Sequence, residues 1–220
     1  MKERPIIFNA EMVRAILDGR KTQTRRLVPA WQLPKHYPDN TENPRYNWMA
    51  TAQRHRRWGY GVFGETEEAC AKELSEMAPC PFGSAGNRLW VRETFRVHSR
   101  ATDVATLVYR ASERNSWTEQ THRVPVSACD KPVSPEKWTP SLHMPRWASR
   151  LVLEITDVRV ERLRSMSQQD ARAEGVIAAS GPMEAGLAFR QLWESIYGAD
   201  SWQVNPWVWV IEFKAVPNGN

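Results

Sequence analysis

A chain of 220 residues with 41% hydrophobic and 25% charged side chains is long enough to bury one substantial core, and its composition is that of an ordinary globular protein. No apolar run approaches the roughly 18 residues needed to span a bilayer, and the opening MKERPIIFNAEMVRAIL lacks the unbroken apolar core of a secretory signal, so no membrane partner and a cytoplasmic address are expected. The net charge of +5 is unevenly spread: residues 1–60 hold twelve Lys or Arg against five Asp or Glu, while the remainder is close to balance. A basic segment of this kind either gathers phosphates by displacing their counterions or serves solubility alone.

In chain order, RPIIFN reads as a short strand, and Asn9 stands as N-cap to a helix over AEMVRAILDG. Met12, Val13, Ile16 and Leu17 fall on one face of that helix, and Gly19 closes it with a left-handed residue. The stretch GRKTQTRR follows, crowded with cations and hydroxyl or amide groups. Helix-terminal carbonyls account for Arg20 and Lys21, but not for Thr22 to Arg26. Residues 29–85 are broken by Pro29, Pro34, Pro38, Pro44, Pro79 and Pro81, and read as an insertion with little regular structure apart from an acidic helix over 65–77.

The remainder reads as a β unit with attached helices. GNRLWVRETF and TLVYRAS are strand candidates, and SRLVLEITDVRVERL is a long one. Its apolar phase slips between Ile155 and Val158, which predicts a bulge or bend near Thr156 and Asp157. Ser167 and Asp170 make a capping-box-like helix start with Gly175 at its end. A second helix carries Leu187, Phe189, Leu192, Trp193 and Ile196, and NPWVWVIEF closes the chain as a strand. Mixed short strands and helices predict an α+β fold.

Several of these segments together carry a family resemblance. RPIIF, GRKTQTRR with its GxKxxTxR pattern (Gly19, Lys21, Thr24, Arg26), GNRLWVRE, SLHMPRWASR, EITDVRVERL, FRQLWESIYG and NPWVWVIEF resemble the ASCH family of PUA-like domains, in the form encoded by bacteriophages and prophages. The resemblance covers most of the chain outside residues 29–79. It implies one domain over 1–220, a small PUA-like β-barrel with flanking helices and the insertion 29–85, in a class associated with RNA or modified nucleobases.

Residues of GRKTQTRR can be placed geometrically. On a strand, Thr24 and Arg26 share a face, and Lys21 reaches that face only from the Gly19 turn. Similarity to small bacterial N4-acetylcytidine amidohydrolases of the family implies a trio of Lys21, Thr24 and Glu174. In it, Thr24 would offer a nucleophilic oxygen, Lys21 would lower its pKa or hold an oxyanion, and Glu174 would move protons. The plain alternative is a tethering Lys21–Glu174 ion pair and a strand-forming Thr24. Arg25, Arg26, His143 and Arg146 are candidate contacts to phosphate or base beside Gly19, and Arg150 could pair a phosphate, whereas a loop that simply packs Met144 and Trp147 inward would need no ligand. The implied ligands are RNA, single-stranded DNA or a modified nucleoside, with amide hydrolysis on an acylated cytidine and RNA cleavage as competing chemistries. A module that binds a host protein, with a vestigial pocket, is the reading from another class.

Three cysteines without a CxxC pair argue against a disulfide framework. The spacing of Cys80, Cys129 and His143 fits no standard zinc site, so no metal or cofactor is expected. Trp90, Trp193, Trp207 and Trp209 sit in apolar patterns and are assigned to the core. Trp31, Trp48 and Trp58, near Arg54, Arg56 and Arg57, either stack on bases or anchor the insertion.

Overall fold

The computed structural model describes residues 2–37, 43–54, 57–112, 121–177 and 184–217. His55 and Arg56 of the basic insertion lie outside them. The chain is a mixed α+β protein that divides into two compact units, the first formed by Met1–Lys21, Gly86–Glu154 and Lys214–Asn220, the second by Thr22–Ala85 and Ile155–Phe213. Among the described residues no closed barrel is found, and no helix is long and apolar enough to cross a membrane.

In the first unit, β1 (Glu3–Ile7) runs parallel to β6 (Arg88–Arg92), with Glu3 opposite Arg88 and Ile7 opposite Arg92. The opening of β10 (Val152–Arg162) pairs antiparallel with β6, Val152 facing Trp90. A second sheet is an antiparallel meander of β7 (Phe95–Arg100), β8 (Val104–Tyr109) and β9 (Thr121–Pro125), with a register shift between Val97 and Ser99. Its alternating residues Phe95, Val97, Leu107 and Tyr109 close a core with Met144 and Ala148.

Helix α1 (Ala10–Leu17) starts as expected, the Asn9 side chain accepting from the Met12 amide at 2.8 Å. Its end is a Schellman motif. With Gly19 at φ +72°, the Gly19 amide donates to Ile16 O and the Arg20 amide to Ala15 O. The Lys21 amide also reaches Ala15 O, at 2.9 Å, so the helix terminus fixes where the Lys21 backbone sits. Leu17, expected on the buried face, is 44% exposed, and Ala15 takes the inward position instead.

In the second unit, β2 (Gln23–Leu27) pairs antiparallel with β11 (Trp207–Val216), Thr24 opposite Ile211 and Arg25 opposite Val210. Trp207 to Ile211 are all buried, so both faces of β11 are covered and its alternation is apolar throughout. β10 runs on to Arg162 as one strand. The phase slip in its sequence marks a change of surroundings from the buried Val152–Ile155 stretch to half-buried charged residues.

Helix α3 (Gln168–Ala173) carries the expected capping box of Ser167 and Asp170, with Gly175 at φ +86° beyond it. Helix α4 (Glu184–Tyr197) buries Ala185, Phe189 and Trp193 against Leu163, Val208 and Val210. Leu187 and Ile196, read as part of that face, are 60% and 46% exposed. The i, i+4, i+8 row through small Ala185 sets the contact, and the two aliphatics lie off it.

The largest departure from expectation is in residues 29–85. There β3 (Lys35–His36), β4 (Trp48–Arg54) and β5 (Gly59–Gly64) form a three-stranded antiparallel sheet with a register shift at Thr51/Gln53. Helix α2 (Glu67–Met77) buries Cys70, Ala71 and Leu74 and packs on β4 and β5, where Ala50, Ala52 and Val62 are buried. Gly64 permits the close approach, since a Cβ there would overlap the Cys70 backbone. The opposite face of the sheet forms an open groove.

Candidate functional site

Burying a charged or polar side chain is costly unless it is paired. Nine such residues are buried among those described, and five of them are Lys21, Gln23, Thr24, Arg25 and Glu174. The residues that looked too polar for their place in the sequence are therefore interior ones.

Strand pairing fixes their directions. Thr24 and Arg26 leave β2 on one face, Gln23 and Arg25 on the other. The α3 turn lies beside the strand's entry, where the Thr22 amide donates to Ala173 O at 2.8 Å. Over the Gln23/Arg25 side the structure assembles an ion network. Arg25, with no exposed side-chain surface, donates from Nη1 to Glu174 Oε1 at 3.1 Å and from Nη2 to Glu161 Oε1 at 2.6 Å. Asp170 Oδ1 lies 3.8 Å from the same guanidinium and accepts from Gln23 Nε2 at 3.2 Å. Arg159 joins the other ends, to Glu161 at 3.3 Å, to Asp170 at 3.2 Å and to Glu212. The Phe189 ring centroid lies 5.8 Å from the Arg25 guanidinium carbon.

This arrangement corrects the reading of Arg25 as a phosphate contact. A guanidinium without exposed surface, held by two carboxylates, is a counter-ion for Glu174 rather than a surface cation. Glu174, the helix C-cap and 3% exposed, therefore binds the β2 residue whose side chain leaves the strand opposite Thr24. The sequence reading missed Glu161, Arg159 and Gln23. A usable signal was present, because charges two apart on a strand, Arg159 and Glu161, share a face that must meet something.

The Asp170 carboxyl shows the network's electrostatics. Burial pushes its pKa up, yet the Ser167 hydroxyl and amide, Gln23 and Arg25 together hold it below the usual carboxylate range. Ser167→Ala removes both the cap and one of those donors. The expected result is a loss of about 1 kcal/mol of stability and an upward shift of the Asp170 pKa, read by urea unfolding and by NMR titration of its carboxyl carbon. An unchanged Asp170 titration would count against the network.

The other candidates are placed as follows. Lys21, at the end of the first unit, is 2% exposed, with Nζ 5.7 Å from the Phe8 ring centroid. Arg26 is half-buried and Gly19 exposed. His143 is exposed on a single 3-10 turn over Ser141–His143. Arg146 pairs with Glu3 at 2.9 Å, so its charge is matched by a carboxylate. Arg150, also read as a phosphate contact, is instead locked to buried Glu93, donating Nε to Oε1 at 2.8 Å and Nη2 to Oε2 at 3.0 Å. His143 and Arg146 belong to the first unit, whereas Thr24, Arg25, Arg26 and Glu174 belong to the second.

All three cysteines are buried thiols. Desolvation, helped by Glu67 and Glu73, pushes the Cys70 thiol up to about 11, which makes it unreactive at neutral pH. Among the described residues no three His, Cys, Asp or Glu side chains gather as a metal site would require. Among the described residues, open pockets lie in the second unit. One, of about 380 Å³, opens on the ion network between Arg159, Glu161, Arg162, Lys72 and Trp207. Another, of about 500 Å³, lies on the β3–β4–β5 sheet. No family model, no curated protein and no solved structure matches the chain.

Proposed function

We propose that the chain is an ASCH-type, PUA-like domain that binds a nucleobase or nucleic acid through Lys21, Thr24, Arg26 and Glu174, with amide hydrolysis on an N4-acylated cytidine and RNA cleavage as the competing activities to be tested. What supports the reading is the burial of Lys21, Thr24 and Glu174, at 2%, 2% and 3% exposure. Burial strengthens every electrostatic contact such groups could make to a ligand. The proposed reaction requires Glu174 to reach the Thr24 face of β2: its carboxylate takes the Thr24 hydroxyl proton as that oxygen attacks the acyl carbonyl, Lys21 stabilises the oxyanion, and Glu174 passes the proton to the leaving N4 amine; water then releases the acid from the Thr24 ester.

The test is release of acetate from N4-acetylcytidine by the full chain. Thr24→Val keeps the side-chain shape and the β-branch while deleting the hydroxyl, so it is cleaner than any change at Glu174, which would also disturb Arg25. Thr24→Val and Lys21→Ala are each expected to lower the rate by roughly a hundredfold or more, the scale of lost nucleophile or acid–base assistance, with circular dichroism unchanged. A wild-type chain that binds the nucleoside without releasing acetate, and loses binding in Lys21→Ala, reads bases and does not hydrolyse them. A chain that neither binds nor hydrolyses overturns the proposal. RNA cleavage is scored in the same samples with a labelled oligonucleotide.

A second reading, a module that binds a host protein, draws on the exposed aromatic residues of the 29–85 segment. The cations interleaved with those aromatics favour an anionic ligand there instead.

A further inference from the structure

Exposed aromatic side chains are not scattered over this molecule. Among the described residues the large exposed ones are Trp31, Tyr37, Trp58, Tyr60 and Phe63, all within one 33-residue stretch of the sequence. The sheet β3–β4–β5 arranges that stretch. Ala50 and Ala52 point to the α2 side and are buried, so Met49, Thr51 and Gln53, alternate with them on β4, face the other way. There they line the groove of about 500 Å³, together with Trp31, Lys35, Arg54 and Tyr60. Trp31 and Tyr60 are each 38% exposed. Gly59 and Gly61 also line it and place no side chain on that part of the floor.

We infer that this groove binds a single-stranded polynucleotide. The Trp31 face beside an open antiparallel sheet gives a platform on which a base stacks, a contact every base can make. Among the described residues the lining holds the cations Lys35 and Arg54 and no carboxylate, and residues 31–63 carry five Lys or Arg against two acids. That charge balance selects a polyanion over an apolar peptide, and the open, flat aromatic surface selects unpaired bases over a duplex, whose bases are already stacked. Stacking and phosphate neutralisation do not read the 2′-hydroxyl, so RNA and DNA strands fit alike. The inference takes its ligand class from the proposed function but uses none of the residues Lys21, Thr24 or Glu174, and it extends that reading from a base to the strand that carries it.

The experiment is fluorescence anisotropy of a 5′-fluorescein 12-nucleotide oligouridine with the full chain at several salt concentrations. Binding is expected to weaken steeply with salt, and Lys35→Glu and Arg54→Glu are expected to flatten that dependence by about 0.7 in log–log slope for each phosphate no longer neutralised. Trp31→Ala is expected to weaken binding by about fivefold to 150-fold, the scale of one base left unstacked, and Trp31→Phe to restore most of it. Tyr60→Phe, which removes only the hydroxyl bonded to Met77 O, should bind as wild type. Oligothymidine should compete like oligouridine, and a 12-base-pair duplex should compete poorly. Binding of N4-acetylcytidine by Trp31→Ala is measured in parallel and should match wild type, so failure of the pocket reading is seen separately from failure of this one. No binding at low salt, wild-type affinity in Trp31→Ala, or equal competition by polyglutamate, which would mark the groove as a site for an acidic protein, would each overturn the inference.

Discussion

Replacing Arg25 by alanine is expected to lower stability by about 3–5 kcal/mol, the range seen when one partner of a buried ion pair is removed. For a chain of this size that is a fall in Tm of roughly 6–20 °C. The magnitude follows from what is left behind. Glu174, at 3% exposure, loses its Nη1 donor, while Glu161 and Asp170 keep Arg159. The lost contact therefore falls chiefly on Glu174, and Glu174→Gln in the Arg25→Ala background should recover part of the loss. Arg25→Lys should fail to rescue fully, since one ammonium cannot span both carboxylates as the fork does. A loss below about 1 kcal/mol, the value of a solvent-exposed pair, would show that solvent reaches the network. This variant also bears on the proposed chemistry. If Arg25 orients Glu174, Arg25→Lys should reduce hydrolysis in protein that is still folded, whereas a purely structural role would lower stability alone.

The chain's local punctuation was legible because it depends on neighbours in sequence. Asn9, Gly19, Ser167 with Asp170, and Gly175 all act within one helical turn, and each cap is formed as the sequence implies. What was not legible depended on distant partners. The sheet of residues 35–64 was hidden because its buried face is made of Ala50, Ala52 and Val62, too small to produce a strong alternation, and because β5 begins and ends in glycine. Those glycines read as loop, yet Gly64 is present for the contact with α2. Leu187 and Ile196 misled in the opposite sense, as aliphatics on a helix whose contact row runs through Ala185. At the candidate site, the crowding of polar residues in GRKTQTRR announced something unusual, but period-two geometry could only sort Thr24 from Arg25. That Arg25 meets Glu161 and Glu174 depends on β10 and α3 folding beside β2 from more than a hundred residues away.

Arg150→Met should cost a comparable 3–5 kcal/mol at neutral pH, with a pH dependence set by Glu93. Glu93 is 2% exposed and paired bidentately with Arg150, whose guanidinium also donates to Ser112 Oγ at 2.9 Å and lies 4.1 Å from the Tyr109 ring centroid. Burial pushes the Glu93 pKa above its ordinary 4.5 even with Arg150 pulling it back, and burial likewise carries Tyr109 well above its ordinary value. A carboxyl whose folded pKa lies above its unfolded one binds more protons in the folded state. Its contribution is present in full below the unfolded value and declines as pH rises through the folded one. Taking away the guanidinium raises the Glu93 pKa further and widens that window upward. His122, whose pKa is depressed first by burial and then by Arg150, shifts in the same direction when the charge is removed. The stability gap between Arg150→Met and wild type should therefore narrow from pH 7 to pH 5, measured as the difference between urea midpoints at equal m-values. Taking the difference cancels Asp170 and Glu154, whose lowered pKa values make both proteins lose stability in acid. Glu93→Gln should show no such recovery, because it strands a guanidinium that cannot discharge. The double variant Glu93→Leu/Arg150→Met should regain most of the loss, as apolar replacement of a buried pair often does. A gap that stays constant between the two pH values would mean that Glu93 remains solvated and that burial does not control its charge.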